Sequence, residues 1–373
     1  MKEIKIKIIK NNEYKICIKN GILDNLGEHL SKTIENKRII IITNSLVNCL
    51  YGVKLLSSLK RGGFNPNLID LIEISDGEKY KSLSTAKYLY DELLKMKADR
   101  TTTLIALGGG VIGDLTGFVA ATYMRGLSLV HIPTTLLAQV DSSIGGKVAV
   151  DHPLAKNIIG SFYQPKAVYT DPEVLQTLSD QDIKNGIVEA IKIAVIKSPV
   201  FFKWLGENID QLIKKNRDLL CELVKEAVSL KADIVLKDPR EKGLRKILNF
   251  GHSIGHALEV GAGYQDLSHG EAVALGILIE TKIARNRGIC SQGLEEQIKQ
   301  ILSFLRNQES KPIFKYIKDI NHNQLWETLT LDKKNSQGKV IFILPEALGK
   351  VSLIDDINKE EVIEALEEYK KVK

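Results

Sequence analysis

The chain has 373 residues, of which 44% are apolar and 26% are charged, and its formal net charge is +6. This length exceeds one ordinary hydrophobic core, so we expect a globular protein with two domains. The lysines are spread along the chain, which favours a solvated surface over a nucleic-acid-binding face. No apolar run approaches the roughly 20 residues that span a bilayer and no signal peptide is evident, so we expect a cytoplasmic protein without membrane or nucleic-acid partners.

The first half of the chain alternates predicted strands with predicted helices. Isoleucines at alternate positions on either side of Asn11 and Asn12 predict a hairpin, residues 4–8 with 14–18. Strands are predicted at 38–43, 68–74, 102–107 and 127–132, and helices at 45–61 and 84–98. Because strands that alternate with helices form parallel sheets with crossover helices, we expect a Rossmann-like α/β domain.

A glycine-rich segment, Gly-Gly-Gly-Val-Ile-Gly-Asp at residues 108–114, contains the spacing GxGxxG. Such glycines let the backbone approach a pyrophosphate, and the free N–H groups of the next helix point at it. The alternative is a tight turn that binds no ligand. A strand pattern before the segment and a helical pattern after it favour a nucleotide site.

Residues 133–147 combine hydroxyl side chains, Asp141, two glycines and Lys147 without an amphipathic pattern, which is typical of a functional loop. Lys147, Lys156 and Asn157 are candidates to bind a phosphate or a nicotinamide ribose. For each lysine alone, a solvated side chain is the simpler interpretation.

From Ser179 the sequence is helical in character, with patterns at 218–236, 271–286 and 294–305. We therefore expect a nucleotide-binding α/β domain at residues 1–178 and an all-α domain at residues 179–373. Within the second domain, Glu189 and Lys192 lie one turn apart among apolar residues. A buried salt bridge is one interpretation, and a metal ligand beside a phosphate-binding lysine is the other.

Three of the seven histidines lie between positions 252 and 269. In a helix His252 and His256 would share one face, which suggests a metal-binding pair. A catalytic Zn²⁺ usually takes three protein ligands, so His269 and an upstream carboxylate could complete the set. Alternatively, these histidines cap or fill a helix interface.

Four segments together resemble the 3-dehydroquinate synthase family: GGGVIGDLTGFVA at 108–120, PTTLLAQVDSSIGGK at 133–147, GIVEAIK at 186–192 and LNFGHSIGHALE at 248–259. The resemblance extends over nearly the whole chain, and the four segments occur in the order that the family shows. The resemblance implies a homodimeric lyase of the shikimate pathway that uses NAD and Zn²⁺ or Co²⁺. Its substrate would be 3-deoxy-D-arabino-heptulosonate 7-phosphate, converted to 3-dehydroquinate and phosphate by transient oxidation, β-elimination, reduction and an intramolecular aldol reaction.

The resemblance also implies a role for each candidate residue. It places the metal on Glu189, His252 and His269, in place of the His252 and His256 pair. NAD would bind residues of both domains, namely Asp76, Gly77, Glu78, Lys79, Tyr80, Lys81, Gly110, Val111, Ile112, Gly113, Asp114, Thr134, Thr135, Lys147, Lys156, Val174, Leu175, Gln176 and Thr177. The substrate and its proton transfers would involve Asp141, Lys147, Asn157, Lys192, Lys231, Arg245, Asn249 and His256. Arg125 would reach across from the partner subunit, and Lys333 or Lys334 would close the pocket.

Three alternatives are less consistent with these residues. A metal-dependent alcohol or glycerol dehydrogenase would carry serine after the glycine triplet, where this chain has Val111. A sister sugar-phosphate cyclase is disfavoured because Lys231 and Arg245 resemble the set for a carboxylated substrate, and an NAD-binding module without turnover would lack the metal ligands. One departure concerns residues 178–182, Leu-Ser-Asp-Gln-Asp, where the family commonly has Leu-Pro-x-Arg-Glu. Asp182 is one methylene shorter than that glutamate, which puts any NAD contact there in doubt.

Overall fold

The computed structural model describes residues 13–35, 38–153, 155–261, 267–305, 320–331 and 339–370. The chain divides into two compact units. Unit 1 comprises Met1–Thr134 and Gly145–Asp171, and unit 2 comprises Thr135–Ile144 and Pro172–Lys373. The boundary predicted at 178/179 lies close to the division at 171/172, but the segment Thr135–Ile144 joins the second unit, which the sequence analysis did not anticipate.

The described part of unit 1 is built on a six-stranded parallel sheet with strand order β1-β8-β5-β4-β2-β3. Its central strands are buried on both faces, as expected for a parallel sheet covered by helices. The strands are β1 Lys15–Ile18, β2 Ile39–Asn44, β3 Ile69–Ile74, β4 Thr103–Gly108, β5 Ser128–Pro133, β6 Lys147–His152, β7 Ala155–Phe162 and β8 Ala167–Thr170. The helices are α1 Leu26–Leu30, α2 Ser45–Val47, α3 Val53–Arg61, α4 Leu83–Lys95 and α5 Gly110–Thr122.

The predicted parallel sheet is confirmed, and its four predicted strands agree with β2 to β5 within one or two residues. The helix predicted at 45–61 consists of α2 and α3 joined by a π-helical turn, Asn48–Gly52. The second half of the predicted N-terminal hairpin, residues 14–18, contains β1, which pairs in parallel with β8, with Lys15 opposite Ala167. The other half of the predicted hairpin, residues 4–8, lies outside the described residues.

An antiparallel hairpin of β6 and β7 follows the loop after β5 and was not predicted. Five of the eight residues of β7 are exposed, so this strand shows no regular alternation of buried and exposed positions. The hairpin joins the sheet region through Ser82, which bridges Asp151.

The described part of unit 2 is mainly helical, with one two-stranded hairpin that the sequence analysis missed. Its helices are α6 Asp180–Lys197, α7 Pro199–Ile213, α8 Arg217–Lys237, α9 His252–Gly261, α10 His269–Asn286, α11 Gln292–Ile301, α12 His322–Leu331 and α13 Lys359–Lys370. The hairpin consists of β9 Phe342–Ala347 and β10 Lys350–Ile354. Among the described residues, no helix is both long and apolar enough to cross a membrane.

Helix α10 forms the centre of unit 2, because it is buried on all sides from Gly270 to Thr281. The segment Thr135–Ile144 also packs inside this unit: a Cβ added to Gly186 of α6 would lie 2.4 Å from Cγ of Leu136. These contacts bring α6, α9 and α10 together around the residues described next.

Candidate active site

Helix α6 places Glu189 and Lys192 in the interior of unit 2, where the side chains are 0% and 1% exposed. The Lys192 ammonium is paired with Glu189 Oε2 and lies 3.9 Å from Asp141 Oδ1. Burial raises the pKa of Glu189, but Lys192 and two nearby imidazoles outweigh burial and hold that pKa well below its usual value. The salt bridge considered from the sequence is therefore present, and the same carboxylate also faces the histidines.

His252 and His269 each occupy the first position of a helix, α9 and α10. Ser268 caps α10, because its hydroxyl accepts the Glu271 N–H while the Glu271 carboxylate accepts the Ser268 N–H. Glu189 Oε1 lies 3.5 Å from His252 Nε2 and 3.7 Å from His269 Nε2. Two helix starts thus aim imidazoles at one buried carboxylate oxygen.

The donor set of Glu189, His252 and His269 fits a metal ion better than it fits hydrogen bonds. Their separations are too long for hydrogen bonds, and Glu189 Oε1 accepts none from the described residues. Ligands about 2.0–2.1 Å from a tetrahedral ion stand about 3.3 Å apart, close to the separations found here. One ligand atom from each residue lies within 4.8 Å of the others. The three residues suit a divalent cation such as Zn²⁺ or Co²⁺.

The second nitrogen of each imidazole has its own partner, which leaves Nε2 directed at Glu189. His252 Nδ1 lies 3.2 Å from the Phe250 carbonyl oxygen, and His269 Nδ1 lies 3.3 Å from Glu259 Oε1. Burial and Lys192 lower the pKa of His252 to about 3, so this ring is neutral, as ligation requires. Burial lowers the pKa of His269, but Glu189 and Glu259 raise it to about 9. The site therefore stabilises positive charge at this point.

His256 is the histidine that the residue spacing alone had paired with His252. Their rings lie edge to face with centroids 5.4 Å apart. His256, Glu259 and His269 form a second group whose ligand atoms also lie within 4.8 Å. Because His269 belongs to both groups, the two candidate ligand sets overlap, and His256 lies next to the Glu189 set.

Two lysines and Asp141 form a buried charged cluster next to these ligands. Asp141 lies on a π-helical turn, Ala138–Ser142, and Lys231 of α8 donates to its Oδ1 at 2.6 Å and to its carbonyl oxygen at 2.7 Å. Burial raises the pKa of Asp141, but Lys231 and Lys192 together lower it to about 2. Burial lowers the pKa of Lys231 despite the Asp141 charge. These charges suit an anionic ligand that can exchange partners with them.

The turn between α8 and α9 holds Arg245 and Asn249. Asp238 accepts the N–H groups of Gly243 and Arg245 at 2.8 and 3.1 Å, which fixes this turn. The buried Arg245 donates to a main-chain carbonyl, and Asn249 donates to Glu241 Oε1 at 2.8 Å. Sequence analysis missed Asp238 and Glu241. Their signal was two acids between the end of a helix and Gly243, a pattern typical of a turn.

In unit 1, the glycine-rich segment lies between β4 and α5, as its sequence context predicted. Gly109 caps α5 without a side-chain hydrogen bond, so the first-turn N–H groups of Gly110, Val111 and Ile112 can meet an anion. Lys81 Nζ lies 2.5 Å from Asp114 Oδ2 and also donates to Asn157 Oδ1. These predicted residues therefore meet within one unit.

Asn44, at the end of β2, is a neighbour that the sequence analysis missed. Its amide donates to Asp76 Oδ1 at 2.9 Å, and its own Oδ1 accepts the Val47 N–H at 2.8 Å. In parallel sheets, ligands bind beyond the carboxyl ends of the strands, so an Asn at such an end is a signal that could have been used.

The remaining predicted residues lie as follows. Gly77 precedes a 3₁₀ turn, Glu78–Tyr80, which contains Lys79. Gly113 lies in the first turns of α5, Thr134 is buried at the end of unit 1, Lys147 begins β6 and is exposed, and Lys156 is half-buried on β7. Arg125 is exposed with a positive φ of 68°.

The other predicted cofactor residues belong to unit 2. They are Thr135 and four residues of a 3₁₀ segment, Val174, Leu175, Gln176 and Thr177. Lys333 and Lys334 lie outside the described residues. Asp182 accepts the Ser179 hydroxyl at 2.7 Å and serves the cap of α6.

Comparisons with known protein families and with single relatives both match the chain to 3-dehydroquinate synthases, over most of its length. Residues 71–185 match the family described as 3-dehydroquinate synthase N-terminal, and residues 186–335 match 3-dehydroquinate synthase C-terminal. The chain is 42% identical over 368 residues to the 3-dehydroquinate synthase of Thermodesulfovibrio yellowstonii, covering 99% of this chain and 100% of that relative.

Two solved structures share the fold at lower identity. ValA, the 2-epi-5-epi-valiolone synthase of Streptomyces hygroscopicus subsp. jinggangensis, was solved with NAD⁺ and Zn²⁺. It is similar with a TM-score of 0.87 and 24% identity over 98% of this chain and 99% of that one. A 2-deoxy-scyllo-inosose synthase solved with carbaglucose-6-phosphate, NAD⁺ and Co²⁺ has a TM-score of 0.83 and 24% identity, over 95% and 96% of the chains. At this identity the likeness supports the fold alone.

Proposed function

Because this chain belongs to the 3-dehydroquinate synthase family, we propose that it converts 3-deoxy-D-arabino-heptulosonate 7-phosphate to 3-dehydroquinate and phosphate. It would be an NAD-dependent and metal-dependent carbon–oxygen lyase of the shikimate pathway, which leads to aromatic amino acids. The observation that carries this proposal is the grouping of the buried Glu189 carboxylate with the partly buried His252 and His269, next to the buried cation Lys192. A sugar phosphate that also carries a carboxylate needs cations for its anionic groups and a metal ion near its hydroxyls, at the same site.

Glu189, His252 and His269 would hold a Zn²⁺ or Co²⁺ ion, which supplies Lewis acidity toward substrate hydroxyls. Glu189 supplies the negative charge, and its buried carboxylate is already deprotonated because cations surround it. The Phe250 carbonyl and Glu259 hold the two rings in the orientation that exposes Nε2. The chain's own contribution is a ligand set arranged before the metal arrives.

Lys192, Lys231 and Arg245 would bind the anionic groups of the substrate. All three are buried, so an anion that replaces their present partners meets them in a medium of low dielectric constant. Arg245 suits a forked contact with a carboxylate, and the lysines suit a phosphate oxygen. Asp141 would keep Lys231 protonated and in place between substrates.

His256 and Asn249 would move protons during elimination and ring closure. Imidazole side chains suit such transfers in general, because their unperturbed pKa lies near neutral pH. The Asn249 amide is oriented by Glu241, so its carbonyl oxygen faces away from that carboxylate and can accept a hydrogen bond from substrate.

NAD would bind the residues that the family resemblance implies, and when bound it accepts a hydride and returns it within each turnover. The first-turn N–H groups of α5 would bind the pyrophosphate, with Lys81 and Asp114 beside them. Asp76, Gly77, Glu78, Lys79, Tyr80, Thr134, Thr135, Lys147, Lys156 and residues 174–177 would complete the contacts.

We further propose a cytoplasmic homodimer in which Arg125 reaches the partner's substrate and Asn157 and Lys147 also contact substrate. Arg125 is exposed at the end of a turn whose residues Met124 and Arg125 both have positive φ. Two successive left-handed residues are energetically costly, and such backbone strain is typical of functional sites. This strain supports a role for Arg125 in binding.

The test is phosphate release from the heptulosonate phosphate by metal-loaded protein with catalytic NAD, with NADH absorbance followed in parallel. We expect stoichiometric phosphate without net NADH, and loss of turnover with chelator or with His269→Ala. NADH that accumulates from a simple polyol without phosphate release would instead establish a dehydrogenase. Turnover of an uncarboxylated sugar phosphate alone would establish a sister cyclase.

A further inference from the structure

Glu280 is a fully buried carboxyl group in the middle of α10 that the proposed chemistry leaves unused. Burial raises its pKa well above the usual value, and the described residues give it no cationic partner. Its Oε2 accepts the Gly251 N–H at 3.0 Å, and its Oε1 accepts no hydrogen bond from the described residues. An apolar side chain would suit a helix that is buried on every face, so this carboxyl group requires a reason.

One peptide group joins Glu280 to the candidate ligand His252. The peptide between Phe250 and Gly251 donates its N–H to Glu280, and its carbonyl oxygen lies 3.2 Å from His252 Nδ1. A peptide is planar, so fixing its N–H also fixes its carbonyl. An acceptor on the N–H polarises the group and makes its carbonyl a better acceptor for the imidazole N–H.

The turn that carries this peptide rests directly on the backbone of α10. Gly251 has a φ of +76°, and a Cβ there would lie 2.6 Å from Ile277 Cγ1. A Cβ on Gly276 would lie 1.9 Å from the Gly251 oxygen. Glu280 is one turn beyond Gly276 on the same helix, so it meets the N–H of a turn that the two glycines have already brought close.

We propose that Glu280 is a positioning residue for the metal centre, which acts through the peptide 250–251 to fix the ring orientation and Nδ1–H tautomer of His252. His269 receives a carboxylate directly, from Glu259 at 3.3 Å. His252 is connected to the Glu280 carboxyl group indirectly, through the peptide between Phe250 and Gly251. This inference rests on the proposed function only because it takes His252 as a metal ligand.

The test compares Glu280→Leu, Glu280→Met and Glu280→Gln with the wild-type protein. Co²⁺ affinity is measured by chelator competition, and the visible spectrum of the Co²⁺ protein reports ligand geometry. Both apolar variants should bind Co²⁺ about tenfold more weakly, with an altered spectrum, as expected when an outer hydrogen bond to a ligand is lost. The glutamine variant keeps an acceptor oxygen and should restore affinity and spectrum.

Thr281→Val is the matched control. Thr281 is equally buried and adjacent on α10, but its hydroxyl donates to the Ile277 carbonyl of the same helix at 2.7 Å. Its Co²⁺ affinity and spectrum should equal those of the wild type. Wild-type values in a folded apolar Glu280 variant, or a glutamine variant as weak as the leucine one, would overturn the inference. A wild-type protein that binds no Co²⁺ would overturn the proposed metal site instead.

Discussion

The two candidate sites of this chain use different chemical groups, main-chain N–H groups in unit 1 and charged side chains in unit 2. In unit 1 the nucleotide region relies on main-chain N–H groups at the start of α5, with one buried ion pair, Lys81 and Asp114, beside them. In unit 2 the metal region relies on buried charged side chains from separate helices. A backbone site tolerates side-chain changes, whereas a side-chain site depends on every member. The predictions below test that difference, in order of expected effect.

Substitution of the proposed metal ligands should have the largest effect. Glu189→Gln and His269→Ala should lower turnover by at least about 1,000-fold, because Lewis-acid stabilisation contributes several kcal/mol. Bound zinc, measured by metal analysis, should fall in parallel, while NAD affinity measured by calorimetry stays unchanged. A variant that retains stoichiometric zinc would remove that residue from the ligand set.

Lys192→Met should destabilise unit 2 by about 3–5 kcal/mol, since it leaves the buried Glu189 carboxylate without its cation. Both tryptophans of the chain, Trp204 and Trp326, belong to unit 2, so their fluorescence during urea unfolding of metal-free protein reports this unit. The control is Lys197→Met on the same helix, where a partly exposed pair with Asp233 predicts a change of about 0–1 kcal/mol. Equal losses in both variants would contradict the prediction.

His131 gives unit 1 a predicted dependence on pH. Burial lowers the pKa of this imidazole from 6.5 to about 4, so the folded state resists a proton that the unfolded state accepts. Stability is therefore lost as pH falls from about 6.5 toward 4. We expect the free energy of unfolding to fall by about 2 kcal/mol more in the wild type than in His131→Gln when the pH is lowered from 7 to 5. Urea unfolding followed by circular dichroism measures it. Parallel pH dependences in the two proteins would contradict this.

Lys81→Met should have the smallest effect, weakening NAD binding about tenfold, or about 1.4 kcal/mol, because the backbone donors of α5 remain. Calorimetry with NAD measures it. Lys87→Met serves as the control, since Lys87 is exposed on α4 and pairs with Asp91 of the same helix at 2.8 Å. Complete loss of NAD binding in Lys81→Met would show that side chains dominate this site too.

The contrast also explains which parts were predictable from sequence. The glycine-rich segment is contiguous, and its strand and helix are local patterns, so residues 108–114 could be interpreted directly. Glu189 lies more than 60 residues before His252, and spacing alone suggested His256 as the partner of His252. The residue pattern left the upstream carboxylate open, the family resemblance named Glu189 with His252 and His269, and the geometry brings those atoms near each other.

Other features carried a local signal of their position in the chain but none of their hydrogen-bond partners. Asp238, Glu241 and Asn44 act through hydrogen bonds to turns whose shapes emerge only in the folded chain. The hairpin of β6 and β7 lacks alternation because both of its faces are mixed. Glu280 reads as an ordinary polar residue in a helix, and only its burial distinguishes it.

The segment Thr135–Ile144 makes the chain pass between its units three times, after residues 134, 144 and 171. This threading limits how the protein can be cut for expression. A fragment that begins at residue 172 would lack Asp141. Lys231 would then lose the carboxylate and the carbonyl oxygen of Asp141, to which it donates. A fragment of residues 1–171 would instead carry Leu136 without Gly186, the residue against which it packs. Neither half is therefore a self-sufficient module, and the gene is best expressed and mutated as one piece.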